Sequence, residues 1–170
     1  MKRKEFLQRL LVVGSGVLIV PSGLLTACKK EVLKKRTALT EKDIPLLDEI
    51  GETIIPTTKD VPGAKAAKIG AYMLAMVNDC FSPDEQHTFL VGLDVLDDNS
   101  FLDKNSQEKL KFLKKMQIDE QHFFEMFKDL TVSGYFTSEI GATQARRYLP
   151  IPGKYIGCIP YAKGDRPWAT

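Results

Sequence analysis

Apolar residues recur at the three- and four-residue spacing of an amphipathic helix through most of the chain between Thr40 and Val132. The first stretch shows this spacing at Ile44, Leu47, Ile50 and Ile54. No run of alternating β-branched residues, which would indicate a strand, interrupts it. The spacing therefore predicts an all-α fold, a small bundle of about five helices.

Start and stop signals divide this pattern into separate helices. Thr40 with Asp43 three residues later is a capping-box pair, and Asn105 with Glu108 is another start signal. Ser82, followed by a proline and two acids, also favours a helix start. We predict helices over about residues 40–54, 64–79, 83–96, 105–116 and 120–132, with Gly134 as the C′ residue of the last.

The first 27 residues have the layout of a secretory signal, with a basic start and an apolar run from Leu10 to Val20. That run, at about eleven residues, is shorter than the roughly 20 that a membrane-spanning helix needs. Residues Leu25-Thr26-Ala27-Cys28 resemble the bacterial lipoprotein box, in which the cysteine is acylated and becomes the new N-terminus. We therefore predict a signal peptide over 1–27, lipidation at Cys28, and a charged tether over 28–39 that follows a membrane anchor.

Two export routes are compatible with this N-terminus. Residues 3–8, Arg-Lys-Glu-Phe-Leu-Gln, resemble the twin-arginine motif with one arginine replaced by lysine. The replacement matters, because arginine and lysine are not equivalent where a receptor reads the pair. The general secretory (Sec) route and a degenerate twin-arginine route both remain open. Either would place the chain in the bacterial cell envelope, lipid-anchored and facing the periplasm or the cell surface.

The charge distribution argues against a nucleic-acid partner. The formal net charge is +2, but residues 1–27 alone carry +3, which leaves −1 for the rest of the chain. Nucleic-acid-binding domains normally keep a basic surplus in their folded part, often with interleaved aromatic residues.

Motifs that would indicate catalysis or a bound cofactor are absent from the sequence after the signal peptide. His87 and His122 are isolated, and no nucleophile elbow, dinucleotide fingerprint or phosphate loop occurs. With Cys28 lipidated, Cys80 and Cys158 are either free or joined in a disulfide, and two thiols are too few for an iron–sulfur cluster. We expect no catalytic residue, cofactor or metal in this chain.

The stretch from Ser133 to Cys158 differs from the helical part because it is rich in glycine, proline and aromatic residues and contains the pair Arg146-Arg147. Such a stretch is poor at building its own core, so we expect it to lie on a surface. From about residue 141 we predict a long irregular C-terminal arm. Its aromatic residues argue against disorder; they are Tyr148, Tyr155, Tyr161 and Trp168.

Within this stretch, residues 134–143, Gly-Tyr-Phe-Thr-Ser-Glu-Ile-Gly-Ala-Thr, resemble a segment of the gluconate 2-dehydrogenase subunit 3 family. Two shorter pieces are also similar to that family, residues 54–58 followed by Pro62-Gly63-Ala64, and residues 81–86. The resemblance covers roughly residues 40–168. The family comprises small subunits of membrane-bound flavin dehydrogenase complexes.

The resemblance implies a non-catalytic accessory subunit in a domain over residues 40–170. Its partner would be the large subunit of a flavin-dependent sugar or sugar-acid dehydrogenase, with FAD in that partner and a cytochrome c subunit as a further component. The chain would aid export, stability or tethering of the partner.

Arginine and tyrosine are enriched at interface hot spots, and prolines order an extended arm before it binds. Glu139 has an alternative role as a helix or turn cap. The residues predicted to contact the partner are Tyr135, Phe136, Thr137, Glu139, Gly141, Arg147, Tyr148 and Tyr155. An alternative from another class remains open, a free-standing helical lipoprotein that binds an envelope protein or a small molecule.

Overall fold

Five α-helices follow one another along the chain in a computed structural model that describes residues 36–151, 153–154 and 156–169. They are α1 (Ile44–Ile54), α2 (Ile69–Cys80), α3 (Pro83–Asp98), α4 (Ser106–Asp119) and α5 (Gln121–Thr137). Single 3-10 turns at Glu41–Asp43 and Phe101–Asp103 precede α1 and α4, and a π-helical turn, Gly141–Ala145, follows α5. The described residues contain no β-strand, and the predicted all-α fold is confirmed.

The predicted start signals act as capping boxes. Thr40 N–H donates to the Asp43 carboxylate at 2.8 Å. Ser82 N–H likewise donates to Glu85 at 2.8 Å and Asn105 N–H donates to Glu108 at 3.0 Å. Each box satisfies backbone donors that a helix start leaves without an intrahelical partner.

α5 is the central helix, because it packs against α2, α3 and α4 and also contacts α1. At the α3–α5 contact the Phe89 ring stacks on Phe127 with centroids 5.6 Å apart and meets Phe123 at 5.5 Å. Gly92 leaves room for this cluster, since a Cβ there would lie 2.2 Å from the Phe123 ring. The Phe123 ring of α5 therefore packs directly against the backbone of α3 at Gly92.

Arg36 ties the beginning of the described chain to the bundle. Its guanidinium contacts the carboxylates of Asp43 at 2.8 Å and Asp94 at 2.7 Å, and a third contact reaches Asp97. Burial alone would raise the pKa of Asp43, but the Arg36 and Thr40 hydrogen bonds outweigh it and lower that pKa. The end of the predicted tether is therefore packed against the folded domain from Arg36 onward.

α2 begins five residues later than predicted. Residues 64–68 form turns rather than helix, and Lys68 takes a left-handed conformation with φ of 54°. The first turn of α2 is held from outside, because Gly70 N–H donates to the Asp48 carboxylate of α1 at 2.7 Å. Residues 64–68 contain no glycine or proline, so their composition did not indicate that the helix begins only at Ile69.

α5 continues past Gly134 to Thr137, so the predicted C′ role of that glycine is wrong. Gly134 instead faces α2, where an added Cβ would lie 2.6 Å from the Tyr72 ring. Its lack of a side chain allows helices to approach, and Ser138, in an extended conformation, ends the helix.

The predicted signal peptide, Cys28 and residues 28–35 of the tether lie outside the described residues, as does Tyr155. In the part of the chain that is described, no helix is long and apolar enough to cross a membrane.

Candidate partner interface

The end of α5 and the turn after it form a junction, residues 134–145, that is divided between core and surface. Tyr135 belongs to the core: its side chain is 2% exposed and its hydroxyl donates to the Pro62 carbonyl at 2.6 Å. Burial first, and the charge of Glu52 second, raise the pKa of Tyr135. The prediction that Tyr135 contacts a partner is therefore corrected, because its side chain is used within the bundle.

Gly141 is also buried, and its role is steric. An added Cβ would lie 1.9 Å from the Tyr135 carbonyl oxygen and 2.9 Å from the Phe136 Cα. Ser138 closes this turn, since its hydroxyl donates to the Tyr135 carbonyl at 2.6 Å and accepts from Gly141 N–H at 3.0 Å. The predicted partner contact at Gly141 is corrected to a requirement for close backbone packing.

The other predicted residues of the junction reach the surface. Phe136 is half-buried, with its ring edge-on to Tyr135 at 5.1 Å and the Arg146 guanidinium 4.5 Å from its centroid. Thr137 and Glu139 are exposed. The Glu139 carboxylate makes no hydrogen bond or ion pair with any described residue, so the alternative role of this side chain as a cap is not seen among those residues. These three residues remain predicted contacts.

The arm returns to its own base instead of extending away. Arg147 N–H donates to the Pro167 carbonyl at 2.8 Å, and Ala169 N–H donates to the Arg147 carbonyl at 2.9 Å. The Arg147 guanidinium also lies 4.9 Å from the centroid of the Trp168 ring. Arg166 adds a bond from its guanidinium to the Gln144 carbonyl at 2.6 Å. The arm is therefore a loop closed at its base by hydrogen bonds and a cation–π contact.

The surface of this loop carries many exposed apolar side chains. Seven of the twelve exposed large hydrophobic side chains among the described residues lie in it, so exposure is concentrated there. Ile151 is 84% exposed and Tyr161 is 78% exposed. The others are Tyr148, Leu149, Ile156, Ile159 and Trp168. A concentration of exposed apolar side chains is typical of an interaction surface.

Two shallow depressions lie at the base of the loop. The first, of about 360 Å³, we call the arginine depression; its lining is Thr143, Arg146, Arg147, Tyr148, Gly164, Asp165 and Arg166. The second, of about 340 Å³, we call the apolar depression; it shares Arg147, Asp165 and Arg166 and adds Ile159, Pro160, Tyr161, Pro167 and Trp168. A basic site and an apolar site therefore lie side by side on one surface.

Comparison with known proteins assigns the family. The family model described as gluconate 2-dehydrogenase subunit 3 matches residues 41–153. The chain belongs to the gluconate 2-dehydrogenase subunit 3 family. No curated protein gave a significant match to this chain, and neither did any solved structure.

The pieces of sequence that resemble the subunit 3 family are structural parts of the bundle. The Tyr135 hydroxyl of the longest piece bonds to Pro62 of the second. In the third piece, the Gln86 side chain donates to the Phe81 carbonyl at 3.1 Å and holds the turn between α2 and α3. The family match ends at residue 153, so Arg166 and Trp168, which close the loop, lie beyond it.

Neither Arg166 nor Lys109 could be recognised as a functional residue from the sequence. Arg166 is one cation in an irregular stretch, and no local signal places it beside Arg146 and Arg147. Lys109 is largely buried and donates to the Glu49 carboxylate at 2.7 Å, which also accepts from Lys65 at 2.9 Å. These two hydrogen bonds, the one from Lys109 first, lower the pKa of Glu49. The bond from Lys109 joins α4 to α1, and the bond from Lys65 joins the turns before α2 to α1.

Other chemistry at the described residues is limited. No group of three or more histidine, cysteine or acidic side chains in the described part is placed to hold a metal ion. Cys80 and Cys158 are both exposed and free, so the disulfide left open by the sequence is not formed in this structure.

Proposed function

We propose that this chain is a non-catalytic accessory subunit that binds the large subunit of a flavin-dependent dehydrogenase through the exposed part of its junction and through its arm. Membership of the subunit 3 family implies association with a dehydrogenase catalytic subunit. The observation that carries the proposal is the apolar surface of the closed loop, which holds seven exposed large apolar side chains.

The energetics favour a macromolecular partner for this surface. Fully burying one large apolar side chain contributes about 1.5–3 kcal/mol, and the loop offers several. Hydrogen bonds from Arg147 and Ala169 hold the base of the loop before any partner arrives. Ordering a segment in advance lowers the entropic cost of association. The closed loop therefore suits docking better than an open tail would.

The partner and its cofactor follow from the family resemblance. The large subunit would oxidise a sugar or a sugar acid, hold FAD, and pass electrons to a cytochrome c subunit or another membrane acceptor. In this arrangement the present chain supplies no group to the reaction. Its contribution is to the export, stability or tethering of the flavoprotein.

The membrane part of the proposal rests on the N-terminal sequence. Acylation of Cys28 would hold the complex at the membrane of a bacterial cell envelope, after export by either route. Residues 28–35 would link that lipid to the bundle, which Arg36 contacts through its ion pair with Asp43.

Native purification of the lipidated protein from membranes tests this function. We expect a stoichiometric flavoprotein, detected by its flavin absorbance and by mass spectrometry of the co-purified chains. Arg147→Ala combined with Tyr148→Ala should reduce its recovery. Ile118→Ala is the matched control, because Ile118 is 81% exposed but lies on α4. A colourless protein that purifies alone would refute the proposal and leave the free-standing lipoprotein.

A further inference from the structure

The arginines of the described chain divide into two groups. Arg36 contacts three carboxylates of its own bundle. Arg146, Arg147 and Arg166 contact none among the described residues, although all three line one depression. Among the described residues, the arginine that serves the fold is therefore ion-paired, whereas the arginines of the arginine depression form no ion pair.

These three side chains are nevertheless held in place. Arg146 lies over the Phe136 ring at 4.5 Å, and Arg147 lies over the Trp168 ring at 4.9 Å. Arg166 is bound to the Gln144 carbonyl. Stacking occupies the face of a guanidinium and leaves its edge, with the N–H donors, free for a carboxylate. The arrangement is ordered in advance for an anionic ligand.

Charge is also separated along the chain. Residues 36–140 carry eleven basic and nineteen acidic side chains, a net charge of −8. Residues 141–170 carry five basic side chains and the single acid Asp165, a net charge of +4. Asp165 lines the arginine depression, where three arginines outnumber it, and its carboxylate already accepts from Ala162 N–H at 2.9 Å. The site keeps a positive surplus.

We propose that the arginine depression is a carboxylate-binding site that holds an acidic segment of the dehydrogenase large subunit. This inference rests on the proposed function and specifies the chemistry of its partner. The segment carries at least two Asp or Glu side chains, which bind the three arginines. It carries an aromatic or aliphatic side chain next to them, which enters the apolar depression beside Tyr161 and Trp168.

The test measures the Kd of the purified complex at salt concentrations from about 50 to 300 mM, a range over which screening of surface charges changes strongly. Arg166→Gln should raise Kd about tenfold or more and flatten its salt dependence. Lys163→Gln is the matched control, since it removes the same charge from the exposed arm outside both depressions. It should change Kd less than about twofold.

A second variant separates recognition from loss of the loop. Arg146→Lys keeps the charge but loses the planar pair of donors, and it should also weaken binding. Trp168 is the only tryptophan, so its fluorescence reports whether either variant has opened the base of the loop. If Arg166→Gln opens it, Arg146→Lys becomes the deciding variant.

The outcomes distinguish this inference from the proposed function. A wild-type complex with unchanged Kd in Arg166→Gln and Arg146→Lys overturns the inference alone. An equal loss of affinity in Arg166→Gln and Lys163→Gln also overturns the inference, because equal losses would show only non-specific electrostatic attraction. If the wild-type chain self-associates and Arg166→Gln abolishes that self-association, the occupant of the site is the acidic bundle of a second copy. No complex with the wild-type chain overturns the proposed function and the inference together.

Discussion

Gly141 is the position where one methyl group tests the turn that joins the bundle to the arm. In Gly141→Ala the new Cβ would lie 1.9 Å from the Tyr135 carbonyl oxygen, whereas ordinary contact begins near 3.4 Å. The turn must therefore open by about 1.5 Å, the difference between those distances. The obstructing atoms belong to the backbone of α5, so they cannot rotate away as a side chain could.

The expected loss can be estimated from what the opening disrupts. Forcing a methyl group into a packed site costs about 1–3 kcal/mol. The same movement lengthens the two hydrogen bonds of the Ser138 hydroxyl, each with a net contribution of about 0.5–1.5 kcal/mol. We expect Gly141→Ala to lower the free energy of unfolding by about 2–4 kcal/mol. For a domain of this size that corresponds to a fall in Tm of about 5–15 °C.

Urea unfolding followed by far-ultraviolet circular dichroism measures this loss. The matched control is Gly153→Ala, where the added Cβ would have no described contact within 4 Å, so the effect should stay within about 0.5 kcal/mol. Gly141→Ala with an unfolding free energy within that margin of wild type would refute the close-packing argument. Limited proteolysis of the folded variant shows whether the arm detaches before the bundle unfolds.

Three further predictions concern the core, the ion pairs and the N-terminus. Gly92→Ala places a Cβ 2.2 Å from the Phe123 ring and should lower the free energy of unfolding, measured in urea, by about 1–3 kcal/mol. Adding Phe123→Leu should recover part of that loss, whereas strictly additive effects of the two substitutions would contradict the contact between Gly92 and Phe123. The pKa of Glu49 is lowered below its ordinary 4.5 when folded, so its contribution to stability is present above that pH and lost as pH falls through the lower folded value. Between about pH 5 and pH 3 the urea midpoint of Glu49→Gln should therefore fall less than that of wild type. Parallel profiles of midpoint against pH for the two proteins would count against the ion pairs of Glu49. Cys28→Ser should abolish the acyl mass on the mature N-terminal peptide and release the protein from the membrane fraction, whereas an unchanged distribution would exclude this residue as the lipid site.

Much of the helical architecture was predictable because its signals are local. The capping boxes at Thr40, Ser82 and Asn105 each join residues three positions apart, so short stretches of sequence contain both partners. The apolar spacing that predicts the helices is equally local. The longest family-like piece likewise identified the family without reference to the structure.

The roles of the glycines could not be predicted, because they depend on what packs against them. A glycine at position 134 is typical of the end of a helix, but the Tyr72 ring of α2 lies against Gly134 and the helix continues. Gly141 was expected at an interface, but the carbonyl of Tyr135 lies behind it. Tyr135 itself was expected to contact a partner, and its bond to Pro62 joins residues 73 positions apart.

The sequence by itself determined the all-α class, the main helix starts and the family of this protein. Only the tertiary structure decided which residues of the family-like segment are core and which are surface. It also closed the arm into a loop and gathered Arg146, Arg147 and Arg166 into one depression. The physical reason is range: caps and apolar spacing act within a few residues, whereas burial and the convergence of charges depend on distant segments that meet only after folding.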